Sequence, residues 1–379
     1  MTRQPVHTVY GGAHLFKAGI CRKLGDLAEA SLNKHAPDAR SLAKVLGIAP
    51  EIEHDIYARL VDKLRSEPVE DFRIDFEDGF GVRSDEEEDA AIDAAVLEVA
   101  EALAEGTLPP FFGFRIKALN DASKARAVRT LRRFLSTLLL KTKGRLPENF
   151  IVTLPKVSSP QQVSTLVDAL KAFGNMFVEI MVETPASIFR LPELVQAARG
   201  RCIAAHFGAY DYTASLGITA AHQHLRHPAC EFARSTMLAS LAGSGICLAD
   251  GATNILPLPD NPAAVHRGWK LHYDNVRHSL YNGFYQSWDL HPPQLPARYA
   301  AVYAFYLEGL AQASDRLKNF IAEGARATQY GGVFDDAATG QGLVNFFLRA
   351  VHCGAIPEGD VQPLTGLTVE ELQKSIGQG

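Results

Sequence analysis

The sequence predicts an α/β protein built as a (β/α)8, or TIM, barrel, with a helical insertion after strand 1 and a helical C-terminal extension. Eight short runs rich in Val, Ile and Phe recur along the 379-residue chain, and stretches with apolar residues at helical spacing follow them. Regular alternation of strands and helices indicates parallel strands joined by crossover helices. Eight such units are the number that closes a TIM barrel.

The predicted strands are, in order, residues 6–12, 71–78, 111–120, 150–157, 177–184, 202–211, 245–251 and 283–292. The stretches 85–106 and 159–174 carry clear helical signals, because each has an acidic or Ser/Pro start and ends on Gly. An open, doubly wound sheet is the structural alternative. The chain has neither GxGxxG after its first strand nor GxxxxGK[ST] anywhere, so it lacks the usual phosphate-binding motifs of that class.

These strands predict a catalytic barrel domain over residues 1–295, which includes a helical insertion at 13–70 with two or more helices. Residues 296–379 show mostly helical patterns, and we expect them to form an extension that takes part in oligomer formation. The aromatic segment YAAVYAFYLEGL (299–310) is expected to pack on the barrel or on a partner subunit.

Composition restricts the classes of function. The formal net charge of −5 gives no basic footprint for nucleic acid, and no apolar run reaches the length of a membrane span. Five dispersed cysteines without a CxxC pair are typical of reduced thiols. The N-terminal MTRQPVHTVYGG lacks the apolar core of a secretory signal. We therefore expect a cytoplasmic protein with no nucleic-acid partner and no membrane partner.

Charged side chains concentrate where the predicted strands end. Because the C-terminal strand ends of a TIM barrel form its active-site face, we expect these side chains at one mouth. Any single one could instead cap a helix or form an ion pair at the rim, but the whole set is costly unless paired or bound to a metal. The set is Asp75, Glu77, Asp78, Arg115, Lys117, Lys156, Glu183, Asp211, Asp250 and His291.

Glu183 and Asp211 form the most specific pair, because they end consecutive predicted strands and would be neighbours in a barrel. Two adjacent carboxylates repel each other unless a cation or a proton lies between them. A small number of hard oxygen ligands favours Mg²⁺ (Mg2+), or Mn²⁺ (Mn2+), over zinc. No HExxH motif or Cys/His quartet competes for this role.

Six segments occur in the order found in one known family: FRIDFEDG, GFRIKALN, TLPKV, EIMVETPASI, HFGAYDYTASLG and WDLHPPQ. Over about residues 70–295 the chain resembles the citrate lyase β-subunit-like family, within the HpcH/HpaI aldolase and pyruvate/phosphoenolpyruvate barrel superfamily. The resemblance implies a Mg²⁺-dependent carbon–carbon lyase or aldolase acting on a small 2-oxo or hydroxy acid, or on its CoA thioester. It also implies a homo-oligomer, a trimer or a hexamer.

The resemblance assigns roles to individual residues. Glu183 and Asp211 match the Mg²⁺ ligands, and Arg115 matches the arginine that binds the substrate carboxylate. The residues before the aspartate in FGAYD, which are Gly208, Ala209 and Tyr210, are expected to contact the substrate.

Further catalytic residues are also implied by the resemblance. Glu77 and Asp78 match an acidic pair beside the metal or its waters, and Lys156 matches the lysine of the LPK motif. Asp335 in GGVFDDA (331–337), with Asp336 as the near alternative, matches a tail aspartate that enters the site from a neighbouring subunit in some relatives. The general base is then either a metal-bound water polarised by Glu77, or Asp335 supplied in trans. His291 and Gln294 match HPxQ, which we interpret as structural closure of strand 8.

Three departures from the family pattern leave the substrate and any CoA or acyl-carrier site open. Strand 1 has VYGGAHLF in place of an LFVPG-like start, the insertion at 13–70 is longer, and ETPASI lacks the Gly that often follows the glutamate. Two other functions stay open. One is condensation of acetyl-CoA with a 2-oxo acid in the manner of malate synthase, and the other is a non-catalytic barrel that binds an acidic metabolite.

Two local alternatives carry less weight. Lys156 could form a Schiff base, but the neighbouring carboxylates would keep its amine protonated. HQHLRH, with His222, His224 and His227, resembles a metal-binding tract, but its spacing suits a polar loop or a helix start better.

Overall fold

Eight parallel strands close into a barrel in the computed structural model of the chain, which describes residues 3–174, 176–323, 328–330, 333–335 and 337–376. The strands are β1 His7–Gly12, β2 Asp71–Asp75, β3 Phe111–Arg115, β4 Phe150–Leu154, β5 Phe177–Val182, β6 Cys202–Phe207, β7 Cys247–Ala252 and β8 Gln286–Asp289. They follow one another in sequence order around the barrel, and β8 pairs in parallel with β1. The predicted TIM barrel is therefore confirmed.

The described helices alternate with these strands as the sequence predicted. They are α1 Ile20–His35, α2 Ala39–Leu46, α3 Glu53–Ser66, α4 Asp85–Glu105, α5 Lys124–Lys141, α6 Pro160–Leu170, α7 Pro185–Ile188, α8 Leu191–Ala197, α9 Ala209–Ser215, α10 Pro228–Leu241, α11 Pro262–Tyr281, α12 Leu295–Ala322, α13 Ala337–His352, α14 Glu358–Thr365 and α15 Val369–Ile376. Within that part of the chain, no helix is long and apolar enough to cross a membrane.

Helix α4 shows how local sequence sets these boundaries. The Ser84 hydroxyl accepts a hydrogen bond from the Glu87 amide, and the Glu87 carboxylate accepts one from the Ser84 amide. This capping box satisfies amides that the first turn leaves free, and the acidic first turn suits the positive end of the helix dipole. The helix ends at Glu105, and Gly106 follows it with a φ of 69°, which glycine adopts readily.

The apolar core has two parts. One part lies between the outer face of the barrel and the helices that follow β2 to β6. The other joins α1–α3 of the insertion to α11, α12 and α13, with Trp269, Tyr299 and Tyr303 buried inside it. The aromatic segment of the extension therefore packs within its own chain. Its predicted role in oligomer formation, and the division at residue 295, stay predictions.

The tail also contains an antiparallel strand pair, β9 Thr328–Tyr330 and β10 Val333–Asp335. Asp335 is the last residue of β10, but its side chain and the whole of Asp336 lie outside the described residues. The expected entry of a tail aspartate into a neighbouring site stays a prediction for this reason.

The barrel interior carries a buried polar network. Glu179 on β5 accepts hydrogen bonds from the Arg73 guanidinium (3.0 Å), the Thr153 hydroxyl (2.9 Å) and the Tyr10 hydroxyl (2.9 Å). His206 Nε2 lies 3.0 Å from a Glu179 oxygen. Burial acts to raise the pKa of Glu179, but the charges of His206 and Arg73 outweigh it and hold that pKa well below its usual range. The network forms a charged floor beneath the mouth of the barrel.

A second buried cluster closes the barrel where β8 meets β1. Asp289 on β8 lies 2.5 Å from His7 Nδ1, 2.7 Å from His272 Nε2 and 2.8 Å from Arg298 Nη2. All four side chains are at most 2% exposed. One carboxylate thus connects both closing strands to α11 and α12.

The His272 imidazole makes stability depend on pH. Burial lowers its pKa below 6.5, and the hydrogen bond to Asp289 offsets this only in part. Below about pH 6.5 the unfolded chain takes up a proton at this residue that the folded chain does not, so the free energy of unfolding falls as the pH falls. We expect urea denaturation between pH 7.5 and 5.5 to show a shallower loss of stability for His272→Asn than for wild type, by at most ~1.4 kcal/mol per pH unit. Equal slopes would contradict the assignment.

Candidate active site

A cavity of about 400 Å³ opens at the C-terminal ends of the barrel strands. It brings together side chains that the sequence separates by more than a hundred residues, from the ends of β2, β3, β5 and β6. The predicted site residues that line it are Asp78, Arg115, Glu183, Gly208, Ala209, Tyr210 and Asp211. Glu77 and Lys156 lie beside them, in contact with Arg115 and with Asp78 and Asp211 respectively.

Glu183 is held rigidly at this mouth. Strand β5 ends at Val182, and Thr184 caps the short helix α7 by accepting a hydrogen bond from the Ser187 amide, so the chain turns immediately after the glutamate. The Glu183 side chain is 2% exposed, and its Oε1 accepts a hydrogen bond of 2.6 Å from the Lys156 amide. A Cβ atom at Gly208 would lie 2.3 Å from Glu183 Oε2, so glycine is required there.

The charge of Glu183 is poorly compensated by its surroundings. Burial and the neighbouring Asp211 raise the pKa of Glu183 to about 8, and the Arg115 charge opposes this only in part. Asp211 is 45% exposed, with Lys156 Nζ 3.7 Å away. A cation bound by Glu183 and Asp211 would therefore relieve the repulsion between the two carboxylates.

These two carboxylates fit Mg²⁺ better than a metal that needs a full protein cage. In the described ranges of the chain, no three His, Cys, Asp or Glu side chains are grouped to hold a metal. Mg²⁺ commonly takes one or two protein carboxylates and completes its octahedron with waters and substrate oxygens. Because Gly208, which follows β6, has no side chain, none lies against Glu183 Oε2 at this position.

Lys156 adopts a backbone conformation that is uncommon for a residue with a side chain. Its φ is 51°, in the left-handed region, and such strain costs roughly 1–3 kcal/mol. In this conformation the amide donates to Glu183, while Nζ contacts Glu77 and lies 3.1 Å from Asp78. Burial lowers the pKa of Lys156, but the bond to Glu77 and the nearby carboxylates raise it above its usual value. The amine stays protonated, which argues against a Schiff base.

Arg115 is oriented by a partner that the sequence did not indicate. Its Nε and Nη2 lie 2.7 and 2.5 Å from the two oxygens of Asp75. Asp75 also accepts hydrogen bonds from the Glu77 and Gly79 amides, at 2.9 and 2.7 Å. Two of the guanidinium nitrogens expected to bind the substrate carboxylate are thus occupied by Asp75. The remaining nitrogen, Nη1, does not bind Asp75 and lies 3.3 Å from Glu77 Oε2.

Tyr10 on β1 is a site residue that sequence reasoning missed. Its ring packs 4.8 Å from the Trp288 ring and lies under the Arg115 guanidinium, also at 4.8 Å. Its hydroxyl donates to Glu179 in the barrel floor. Strand 1 ends on two glycines and no charged residue, so its end did not predict a place in the site. The departure of VYGG from the family pattern was the one available signal.

Three of the strand-end side chains expected at the mouth make their contacts in other parts of the structure. Lys117 Nζ donates to the Phe76 carbonyl and pairs with Glu88, and Asp250 is buried against Arg234 and Ser279. Because successive side chains of a strand point to opposite faces, a charge near a strand end faces the interior only when the alternation places it there.

The third is His291, which lies at the closure of β8 that we expected from the HPxQ motif. The Gln294 side chain accepts from the Leu290 and His291 amides and donates to the Thr253 carbonyl. In the HQHLRH segment, His227 caps α10 by accepting from the Ala229 amide, in agreement with a helix start.

Comparison with known proteins places this geometry in context. The model of a domain of unknown function, DUF6986, matches residues 1–377. Among curated proteins, none matches. A citrate lyase structure from Burkholderia xenovorans LB400 is 19% identical, covers 95% of this chain and 96% of its own, and gives a TM-score of 0.65.

A second solved structure is protein CitE from Mycobacterium tuberculosis in complex with magnesium, acetoacetate and coenzyme A. It is 20% identical, covers 92% of this chain and 98% of its own, and gives a TM-score of 0.55. At these identities the likeness establishes a shared fold, and it confirms at that level the predicted resemblance to the citrate lyase β-subunit. The chain therefore belongs to the DUF6986 family and folds as these citrate lyase barrels do.

Proposed function

We propose that this protein is a Mg²⁺-dependent carbon–carbon lyase that cleaves a small 2-oxo or 3-hydroxy acid, free or as a thioester. The observation that carries the proposal is the buried carboxylate of Glu183 beside Asp211, in the same cavity as the fixed cation of Arg115. The similarly folded CitE protein from M. tuberculosis, which was solved with magnesium, acetoacetate and coenzyme A, supports it.

In this proposal Glu183 and Asp211 hold Mg²⁺, or Mn²⁺ in its place. The bound ion supplies Lewis-acid stabilisation of the negative charge that cleavage leaves on the substrate. The Lys156 amide keeps Glu183 in one orientation, because the hydrogen bond to Oε1 leaves Oε2 to face the cavity beside Gly208. Gly208, Ala209 and Tyr210 then form the wall against which the substrate lies.

Arg115 adds fixed positive potential. Asp75 and the Tyr10 ring hold the guanidinium in place before the substrate arrives, so it does not need to reorganise during the reaction. With its fork on Asp75, Arg115 would contact the substrate carboxylate through Nη1 only. This contact orients the acid end of the substrate.

Glu77 is our candidate for proton transfer. Burial raises the pKa of Glu77 more than the Arg115 charge lowers it, which makes this carboxylate a stronger base than an exposed one. It would accept the substrate hydroxyl proton while the C–O bond becomes C=O and the C–C electron pair passes to the other fragment as an enolate. Returning the same proton to the enolate carbon completes the cycle. Lys156, in contact with both Glu77 and Asp78, stabilises the charged form of the pair.

Incubation with citramalyl-CoA or citrate and Mg²⁺ tests the proposal. We expect release of pyruvate or oxaloacetate, detected by mass spectrometry, with loss of turnover in EDTA and recovery on adding Mg²⁺. Cleavage that persists in EDTA would refute the metal dependence. Consumption of acetyl-CoA and glyoxylate with release of free CoA would instead assign the site to malate synthase-like condensation. A homo-oligomeric state, trimer or hexamer, with Asp335 acting across subunits, stays part of the proposal.

A further inference from the structure

A second, smaller cavity lies beside the mouth, between the outer wall of the barrel and α1. Its volume is about 140 Å³. Tyr10 and Leu290 line both this cavity and the larger one at the mouth, so the two adjoin where β1 and β8 end. A substituent of a molecule held in the mouth would reach the second cavity by passing Leu290.

The walls of the second cavity are apolar. Ile20 and Leu24 of α1 form one side, and Phe16 and Phe72 form another. Gly11 on β1 also contributes, and a Cβ atom there would lie 2.6 Å from the Phe72 ring. A larger residue at Gly11 would therefore displace Phe72 or occupy part of the space.

Two exposed leucines border the cavity. Leu15 is 63% exposed and Leu290 is 46% exposed. An isolated exposed leucine is ordinary, but both of these side chains line the same opening. An apolar group that entered the cavity would cover them as well.

Two polar side chains of the cavity lining, Asp289 and His291, offer no unpaired charge to a ligand in the cavity. The Asp289 carboxylate is occupied by His7, His272 and Arg298. His291 Nδ1 is buried without a hydrogen-bond partner, and burial lowers the pKa of this imidazole, so it is neutral at pH 7. An amide-containing arm such as pantetheine would leave most of its polar groups unpaired here, at a cost in binding free energy.

We infer that the second cavity binds an apolar hydrocarbon substituent of the substrate, so that the enzyme acts on a 2-oxo or hydroxy acid carrying a chain or ring of about six carbons. The size follows from cavity volume, since an apolar cavity of about 150 Å³ in another protein holds benzene. This inference rests on the proposed function, because it places the acid end of the substrate in the Mg²⁺ mouth.

Calorimetric binding of unbranched 2-oxo acids in the presence of Mg²⁺ tests the inference. The probes run from pyruvate to 2-oxooctanoate, which carries a six-carbon substituent. Each methylene that enters the cavity is expected to tighten binding about four-fold, the equivalent of ~0.8 kcal/mol, and the gain should stop once the cavity is full. A flat series for the wild-type protein would overturn the inference.

Matched variants locate the effect. Leu24→Phe fills the cavity from α1, and it should abolish the gain with chain length while leaving the Kd of pyruvate unchanged. Ile20→Phe, one turn earlier on the same helix, provides a second blocked variant if Leu24→Phe does not fold. Leu27→Phe makes the same change at a site on α1 that is 47% exposed and outside the cavity lining, and it should keep the full gain.

The outcomes separate this inference from the proposed function. If pyruvate binds with Mg²⁺ but chain length has no effect, the cavity inference fails and the proposed function stands. If the long-chain acids bind equally well with Mg²⁺ and with EDTA, the proposed function fails. If Leu24→Phe weakens coenzyme A binding and leaves the 2-oxo acid series unchanged, the cavity takes a thioester arm and the inference is overturned.

Discussion

Glu183→Gln is expected to abolish Mg²⁺ binding and to lower kcat/KM by about 10³-fold, the effect of losing several kcal/mol of charge stabilisation in the transition state. Glutamine keeps the size of the side chain and an oxygen that can accept from the Lys156 amide. It removes the negative charge that a cation needs beside Asp211. The fold should therefore survive while the metal site is lost.

Isothermal titration calorimetry measures this directly. Because burial and Asp211 raise the pKa of Glu183 to about 8, the metal-free carboxyl is mostly protonated at pH 7. Mg²⁺ must displace that proton, so its affinity should increase as the pH rises towards 8, with proton release visible as a buffer-dependent heat. Neither signal should appear in Glu183→Gln.

Stability should change in the opposite direction. Between about pH 4.5 and pH 8 the folded metal-free wild type keeps a proton on Glu183 that the unfolded chain has released, so its free energy of unfolding falls as the pH rises through this range and levels off above it; Glu183→Gln lacks this dependence. Glu193→Gln is the matched control, because this glutamate on α8 is 57% exposed and pairs with Arg190, the residue before the helix. Unchanged Mg²⁺ affinity in Glu183→Gln would remove the basis of the proposed metal site.

Asp289→Asn is expected to lower the free energy of unfolding by about 3–5 kcal/mol, the usual cost of leaving one partner of a buried ion pair uncompensated. Arg298 is 2% exposed at its side chain and contacts Asp289 through Nε and Nη2. The amide cannot neutralise this guanidinium, and the bonds to His7 and His272 are weakened at the same time. The substitution should therefore weaken the contact between β8, which carries Asp289, and β1, which carries His7.

Urea denaturation with a matched exposed site checks this value. Asp260 is 62% exposed and bonds to Lys34 and His35, so Asp260→Asn makes the same chemical change near the surface. Exposed ion pairs contribute about 0–1 kcal/mol, so this control should change stability little. Equal losses for the two variants would show that the Asp289 cluster does not hold the barrel closed.

The barrel and its mouth were predictable because two signals act over short range. Apolar runs identify strands, and charges at their ends identify the mouth. The arrangement of Glu183 and Asp211 followed from their positions on consecutive strands. The Asp75–Arg115 pair was not predictable, because it depends on the register of β2 and β3, in which these two residues are direct partners.

Asp250 shows another limit of sequence reasoning. Its expected position at the mouth assumed a regular strand, but the β7–β8 register shifts between Ala249 and Ala252. The carboxylate instead meets Arg234 and Ser279 outside the barrel. An irregularity of one residue reverses which face a side chain occupies, and Gly251, a glycine inside the strand, was the sequence signal for it.

The shared core of insertion and extension has a consequence for biosynthesis. Helices α1–α3 leave the ribosome more than two hundred residues before α12 and α13, which cover their apolar faces. At about 5–20 residues per second, these helices wait on the order of tens of seconds for their packing partners. The nascent chain therefore completes the packing of its first helices only after α12 and α13 have been synthesised.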